Sequence, residues 1–573
     1  MLGRPAERAF SPRLEAALVA LACALFLALA GAEAWRNAYP YFDDVGYLEL
    51  GNQIRALGGP LGLLRELFTG HRYVESNRHP LFLALLSLVA RPERGYHRDA
   101  QLLTLALGLA ALLSCWLVIR RHFGRGPAAV AVLLLACGKT FVNVASREWC
   151  EPLLVALWAQ AVGAILDGLR RPERLRPWLL AGLFSGLAFL TKGTAIFLPV
   201  CVALALLLEQ RARALVHRGG WLFGGAFLLT ASPLLCRNVR LFHAPLYQFN
   251  SRLVWIDKLP DFAEIFAPHA YDKLPDGFAA WLSQTTPRAV AWRVVGGAGE
   301  VSFNVLDAFA LVAPTPGGPV HVALLAAALA ALVVSLRWLW RMPRGPARTF
   351  LLVHCAWSYA FFVAFSASGA NSRYFLPLVA TTLLPAFAAR LHEELLVEGG
   401  ARRPFVLRTA AAAAAALVAT ALLHGPALAS PPGMRDVEDW LAAHVRPGEV
   451  YALDARTHLQ ASWLLPGAEQ LIVSASWDEK PVPAGELLDW LRERRARYVV
   501  LDGAALAHLG APGDPAARRY LFYDLLPLAP DGSLPLEGFP GGLKPAFVAP
   551  GSPRRWVVLE TPWSQAQVAS RGG

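Results

Sequence analysis

Charge is scarce in this 573-residue chain: Asp, Glu, Lys and Arg make up 17% of it, against 55% hydrophobic residues. The mean hydropathy is +0.40. Soluble chains average about 25% charged residues, so a string of roughly three or four ordinary soluble domains, the expectation from length alone, does not fit. The same composition excludes a disordered chain, a collagen-like fibre and a small disulfide-stapled scaffold. Zinc and disulfide signatures are missing too. The seven cysteines (Cys23, Cys115, Cys137, Cys150, Cys201, Cys236, Cys355) lie in or beside apolar runs, with no CxxC pair and no metal-ligand spacing. No GxGxxG follows a strand-like run, and no long internal repeat is found.

What is present is a series of apolar runs near the length of about 20 residues that crosses a bilayer. Candidate spans fall at about 14–34, 100–119, 127–146, 149–168, 177–191, 193–209, 220–236, 320–340, 349–367, 373–390 and 405–424. That predicts a mainly α, polytopic membrane protein with about 11 transmembrane helices. The net charge of +12 sits in short arginine clusters between these runs, which is a topology signal and not a nucleic-acid stripe. Arginines precede the first span (Arg4, Arg8, Arg13) and follow the second (Arg120, Arg121, Arg125), fourth (Arg170 to Arg176), sixth (Arg211 to Arg218), eighth (Arg337 to Arg348) and tenth (Arg390, Arg402, Arg403). Every second connection is basic, so the positive-inside rule puts the N-terminus in the cytoplasm and the tail after Leu423 outside it. Parity requires both short spans around Lys192, which stands at their outer turn. The start of the chain also resembles a cleavable signal peptide, a reading that leaves the later topology unchanged.

Two large outer segments remain, about 35–99 and 237–319, with stretches such as Leu81 to Val89 that suit helices along a membrane surface. The expected division is a membrane unit over 1–429 and a soluble extracytoplasmic α/β unit over 430–573. In the latter, Val437 to His444 and Glu486 to Arg495 read as helices, and Glu449 to Leu453, Gln470 to Ser474 and Arg497 to Leu501 as strands.

The outer face is where ionisable residues collect. Its tight turns carry Arg147, Glu148 and Glu151, then Lys192, then Arg373; its first large segment opens on Asp43-Asp44 and contains Arg78-His79-Pro80, and Arg237-Asn238 follows the seventh span. Charges held at a membrane surface cost desolvation and are functional candidates by default. Each also has a structural reading. Lys192 and Arg373 snorkel to headgroups, Glu148 and Glu151 favour a helix N-terminus, and Asp43-Asp44 cap the helix from Val45 to Leu57. His79-Pro80 simply starts a helix. The Gly182-to-Gly186 spacing reads as helix packing. Gly138-Lys139-Thr140 looks like the end of a phosphate loop, but it lies in a membrane span with Leu at position 133.

Together these residues suit transfer of a group from a lipid-linked phosphate. Cations bind the phosphate and stabilise the charge that grows on it, and a carboxylate takes the proton of the attacking hydroxyl. Asp43 and Tyr47, four apart, face one side of a short helix, and adjacent Asp43 and Asp44 are expected to raise each other's pKa.

Five stretches in order give the sequence a family likeness: Tyr41-Phe42-Asp43-Asp44-Val45-Gly46-Tyr47, Arg78-His79-Pro80-Leu81, Gly186 to Gly193, Pro233 to Asn238, and Ser372-Arg373-Tyr374-Phe375-Leu376-Pro377. In them the chain resembles the GT-C membrane glycosyltransferases, in the group of protein O-mannosyltransferases, lipid A aminoarabinose transferases and core galacturonosyltransferases. The likeness covers residues 1 to about 390. Asp44 stands where that group usually has Glu, and Thr381 and Thr382 precede Pro385 where a second proline is expected sooner. The resemblance implies an inverting transferase in the bacterial inner membrane, using a polyprenyl-phosphate-linked monosaccharide and an envelope acceptor: lipid A, a glycan, a glycolipid or a protein. It implies Asp43 as general base with Asp44 beside it, and Lys192, Arg237, Arg373, Tyr374, His79, Arg78, Tyr47 and Glu151 as donor-binding or site-shaping residues. No metal, cofactor or nucleic acid is implied. The competing expectations are a transporter or flippase for a lipid-linked sugar, and an oligosaccharide ligase using a diphosphate-linked donor.

Overall fold

In the computed structural model the described residues run from 11 to 563, except 38–39, 41–42, 92–94, 249–253, 256–273, 276, 312–318, 366–370, 395–432, 455–467, 474–483, 503–537 and 551–555. Helices dominate: α1 Pro12–Arg36, α2 Asp43–Ala56, α3 Gly59–Phe68, α4 Pro80–Val89, α5 Gly95–Phe123, α6 Arg125–Ala136, α7 Lys139–Ala145, α8 Glu151–Arg170, α9 Leu175–Thr191, α10 Phe197–Gln210 and α11 Arg218–Phe242. After these come α12 Phe278–Gln284, α13 Pro287–Phe309, α14 Pro319–Arg341, α15 Pro346–Phe365, the helical segment α16 Ser372–His392, α17 Met434–His444 and α18 Ala484–Glu493.

Eight of these segments are long and apolar enough to cross a membrane, by length and composition. They account for eight of the expected spans, and the protein is a multi-pass membrane protein. Two other expected spans are shorter. Residues 127–146 are divided into α6 and α7 by a break at Cys137-Gly138, and α9 has 17 residues. The eleventh, 405–424, with its alanine run, lies outside the described residues, so a count of eleven is not established. The break has a physical cause: the Lys139 amide turns away to donate to the Ala310 carbonyl at 2.9 Å, and Gly138 bridges Leu311 at the end of α13.

The basic connections share one end of the bundle. Glu15 at the start of α1 meets Arg120 at 3.0 Å and Arg125 at 3.5 Å, and Asp167 near the end of α8 meets Arg121 at 2.7 Å. At the other end, α2, α3 and α4 form a layer of their own around Leu48, Ile54, Leu63, Leu67, Phe82, Leu83 and Leu86. Helix α4 is therefore packed against α2 and α3. Helix α1 likewise joins the main core, with Phe26 fully buried against Phe141.

The C-terminal part has the expected helices and three strands, β1 Val450–Asp454, β2 Glu469–Val473 and β3 Ala496–Asp502. It adds two that were not anticipated, β4 Lys544–Val548 and β5 Trp556–Glu560. The sheet order is β2-β1-β3-β5-β4. Strands β1, β2 and β3 are parallel, while β5 is antiparallel to both β3 and β4. Pro545 interrupts the strand pattern of β4, but β4 is at the sheet edge, where a missing amide donor is tolerated.

Helices α9 and α11 meet through glycine. A Cβ at Gly182 would fall 2.3 Å from the Phe223 carbonyl oxygen, and one at Gly186 would fall 2.5 Å from Thr230 Cβ. Close backbone approach of this kind is how membrane helices gain contact area. Gly182→Val should therefore destabilise the full chain by about 1–3 kcal/mol, the usual cost of overpacking. Gly224→Ala, whose added Cβ meets nothing within 4 Å, should not. Thermal unfolding of the two variants in one detergent checks this; matching melting temperatures would show that the glycines are dispensable.

Candidate active site

At the end of the bundle away from the Glu15 and Asp167 ion pairs, α2, α8, α9 and α16 converge on one group of charges. Glu151 is the first residue of α8, and Lys192 ends α9, where its extended backbone (φ −156°, ψ 136°) breaks the helix. Arg373 lies in a single 3₁₀ turn that opens α16, fixed by the Asn371 side chain accepting from the Arg373 amide at 3.1 Å. Lys192 Nζ reaches Glu151 Oε1 at 2.5 Å, and Arg373 Nε lies 3.7 Å from the same oxygen. Glu151 is nearly without solvent, at 1% exposure.

Asp43, in the first turn of α2, joins this group through Arg373, whose Nη2 is 2.8 Å from Oδ2. Its other oxygen, Oδ1, accepts from Arg78 Nη2 at 3.2 Å. Aromatic side chains pack against the cations: Tyr374 under Lys192 (4.5 Å from ring centroid to Nζ), Tyr47 under Arg78 (5.0 Å), and Trp149 under Arg373 (4.4 Å). The Tyr47 hydroxyl donates to Cys150 Sγ at 3.3 Å. Three cations, Arg78, Lys192 and Arg373, thus meet two carboxylates, Asp43 and Glu151, leaving one net positive charge. Asp43 remains 38% exposed, and Lys192 and Arg373 keep 18% and 17% exposure. An excess cation with open donors fits a singly charged phosphate.

The electrostatics follow from the partners. Burial works against the charged form of Asp43, but Arg373 and Arg78 outweigh it and hold its carboxyl below the ordinary range. The expected elevation of Asp43 by its neighbour is therefore not found. Burial also opposes charge on Lys192, and Glu151 more than compensates, keeping the ammonium above the ordinary lysine range. Burial holds the Tyr47 phenol protonated, with its pKa well above the usual value.

Asp44 is placed apart from this group. Successive residues on a helix point about 100° apart, so while Asp43 faces the cations, Asp44 is buried and pairs with Arg147 at 3.2 Å. Beside it His97 and Glu148, both buried, meet at 2.5 Å. Arg237 is also outside the group. It is buried and spends its guanidinium on the Glu75 carbonyl and on Asn238 Oδ1, and so holds the loop that carries Arg78. His79 hydrogen-bonds the Phe189 carbonyl and lies beside Gly193, one residue past Lys192. Burial pushes its imidazole down to about 4, so it is neutral at ordinary pH. Trp149 and Cys150 belong to the site and were not singled out in the sequence. Their only signal was their place between Glu148 and Glu151 in a charged turn. Among the described residues, no group of three or more His, Cys, Asp or Glu side chains is placed to hold a metal ion.

Known proteins resemble the chain in sequence and in fold. Residues 78–236 match the family described as dolichyl-phosphate-mannose-protein mannosyltransferase. Two undecaprenyl phosphate-alpha-4-amino-4-deoxy-L-arabinose arabinosyl transferases are similar in sequence. The one from Pseudomonas aeruginosa is 31% identical over 40% of this chain and 41% of its own length. The one from Pectobacterium atrosepticum is 30% identical over 28% and 29%. The chain thus aligns with well under half the length of these relatives. In fold the likeness extends over nearly all of the chain. The crystal structure of ArnT from Cupriavidus metallidurans bound to undecaprenyl phosphate has a TM-score of 0.55 at 15% identity, covering 95% of this chain and 97% of that one. The Archaeoglobus fulgidus oligosaccharyltransferase, tethered to an acceptor peptide, reaches 0.58 at 14% identity, covering 92% and 74%. The chain has the GT-C fold of these two solved structures.

Proposed function

We propose that this protein transfers a monosaccharide, with inversion, from a polyprenyl-phosphate donor to an envelope acceptor on the outer side of the bacterial inner membrane. The observation that carries the reading is the carboxylate of Asp43, half-open to solvent and shared between Arg373 and Arg78, next to the Lys192–Glu151 pair. The sequence similarity to the undecaprenyl phosphate arabinosyl transferases supports it. In this reading the N-terminus is cytoplasmic. Residues 1–429 form the transferase unit, and 430–573 form an extracytoplasmic unit facing the acceptor.

The chemistry follows from competition for cations. In the free protein Arg373 and Arg78 neutralise Asp43 and make it a weak base. A donor phosphate entering beside Lys192 draws on the same guanidinium groups. Released from them, Asp43 becomes basic enough to take the proton of the acceptor hydroxyl. The acceptor oxygen then bonds to the anomeric carbon from the face opposite phosphate. The bond from that carbon to the phosphate oxygen breaks, and its electron pair leaves with the polyprenyl phosphate. Lys192, Arg373 and Arg78 stabilise the charge that grows there, so no protonating acid is required. Glu151 keeps the ends of Lys192 and Arg373 together. Asp44 acts at a distance, locking the start of α2 through Arg147.

Three outcomes test this reading. Asp43→Asn should fold normally and lose transfer of radiolabelled sugar from polyprenyl-phosphate donors to envelope extract by about 100-fold or more. Transfer at the wild-type rate would remove Asp43 from the mechanism. The second concerns pH. Because the free-state pKa of Asp43 is depressed, its carboxylate stays ionised below the ordinary range, and the acid limb of kcat/KM should lie there. Arg78→Gln removes one of the two cations, so the pKa should rise and the limb should move to higher pH; a limb that stays put would separate the titration from Asp43. The third concerns the donor. Lys192→Gln combined with Glu151→Gln leaves no unpaired buried charge, and it should raise the donor KM by about tenfold or more. An unchanged KM would leave Lys192 a headgroup snorkeller.

A further inference from the structure

A second cavity, of about 800 Å³, opens at the other end of the bundle, between the ends of α5 and α8 and the start of α9. Along α8 its mouth at Asp167 lies about 24 Å from Glu151, and its inner wall at Gln160 about 14 Å, at 1.5 Å per residue. Its mouth carries Arg121, Arg174 and Arg176 against one carboxylate, Asp167. Asp167 is already engaged by Arg121 at 2.7 Å. Arg174 and Arg176 are exposed and, among the described residues, have no carboxylate within ion-pair distance. Deeper in, the walls are apolar, with Leu117 from α5 and Leu180 and Phe184 from α9.

One polar side chain stands on that inner wall. Gln160 lies seven residues before Asp167 on the same face of α8, about 10 Å further into the bundle. Its amide is half-buried and, among the described residues, has no hydrogen-bond partner. An unpaired amide at hydrocarbon depth is costly unless something else satisfies it. Arginines that only set topology need neither a cavity nor a buried amide below them.

We propose that this cavity binds one anionic phospholipid from the leaflet on the Arg174 side. The phosphate lies between Arg174 and Arg176, a glycerol-ester carbonyl accepts from the Gln160 amide, and an acyl chain runs along Leu180 and Phe184. Phosphatidylglycerol meets all three requirements. A zwitterionic lipid brings its own cation to a mouth that is already positive.

The test is native mass spectrometry of the full chain in detergent, titrated separately with phosphatidylglycerol, phosphatidylcholine and undecaprenyl phosphate. Saturable retention of one phosphatidylglycerol, on the order of tenfold tighter than phosphatidylcholine, is expected from two arginines near the surface. Arg174→Gln with Arg176→Gln should erase that preference, leaving Arg170 and Arg171 to keep the connection basic. Gln160→Leu, which adds no charge, should weaken retention with helicity unchanged by circular dichroism, and it carries the test alone if the double variant does not insert. Equal retention of the two phospholipids, or retention unaffected in the variants that fold, would overturn the site. Undecaprenyl phosphate held in preference to phosphatidylglycerol would overturn the phospholipid assignment in favour of the lipid carrier.

Discussion

Glu151 is a carboxylate with almost no water at the end of a membrane-crossing helix, and the neighbouring helix ends supply it with positive charge. An isolated ion in such a place costs several kcal/mol, and removing one partner of a buried pair costs about 3–5 kcal/mol. Lys192 and Arg373 come from helix ends far apart in sequence, so satisfying Glu151 ties α8, α9 and α16 together at one point. Asp43 then joins through Arg373, and Arg78 through Asp43. The order of dependence runs from a desolvated carboxylate to a half-exposed one. Only the second can exchange partners with a ligand.

The turn between α7 and α8 serves two environments. Arg147 reaches inward to Asp44 while Glu151, four residues on, reaches outward to Lys192. Trp149 lies between them, with the guanidinium of Arg147 5.4 Å from its ring and that of Arg373 4.4 Å from it. One short segment thus anchors the floor of α2 and positions the cation that holds Asp43. The loop carrying Arg78 is pinned from a different direction by Arg237 and by Arg240, which donates to the Glu66 and Gly70 carbonyls.

Much of this was legible in the residues, because membrane spans and charged turns are written in composition. Ten of the expected spans fall on apolar helices, and Asp43, Lys192, Arg373, Glu151 and Arg78 do come together. What was not legible depended on partners distant in sequence. Asp43 and Asp44 are the same residue type side by side, and only the arrival of Arg373 on one face and Arg147 on the other separates them. Arg237 was expected to bind phosphate or shape the site because it follows a span on the charged face; its contact with the Glu75 carbonyl depends on a loop distant in sequence. The break at Gly138 was hidden in a continuous apolar run, since its cause is a hydrogen bond to Ala310. Strand β4 was masked by Pro545, which is harmless only at an edge that sequence alone does not reveal.

The glycine seam between α9 and α11 has a mechanical meaning. The two glycines let the backbones of α9 and α11 approach closely, and this pair of helices carries Lys192 at the end of α9 and Arg237 in the last turns of α11. Arg373 lies at the start of α16 and meets Lys192 across Glu151. The spacing of the two cations therefore depends on how α9 and α16 are aligned. A bilayer that is too thin or too thick for one of them tilts it against the other. Membrane thickness would then tune the distance between Lys192 and Arg373 without touching either residue.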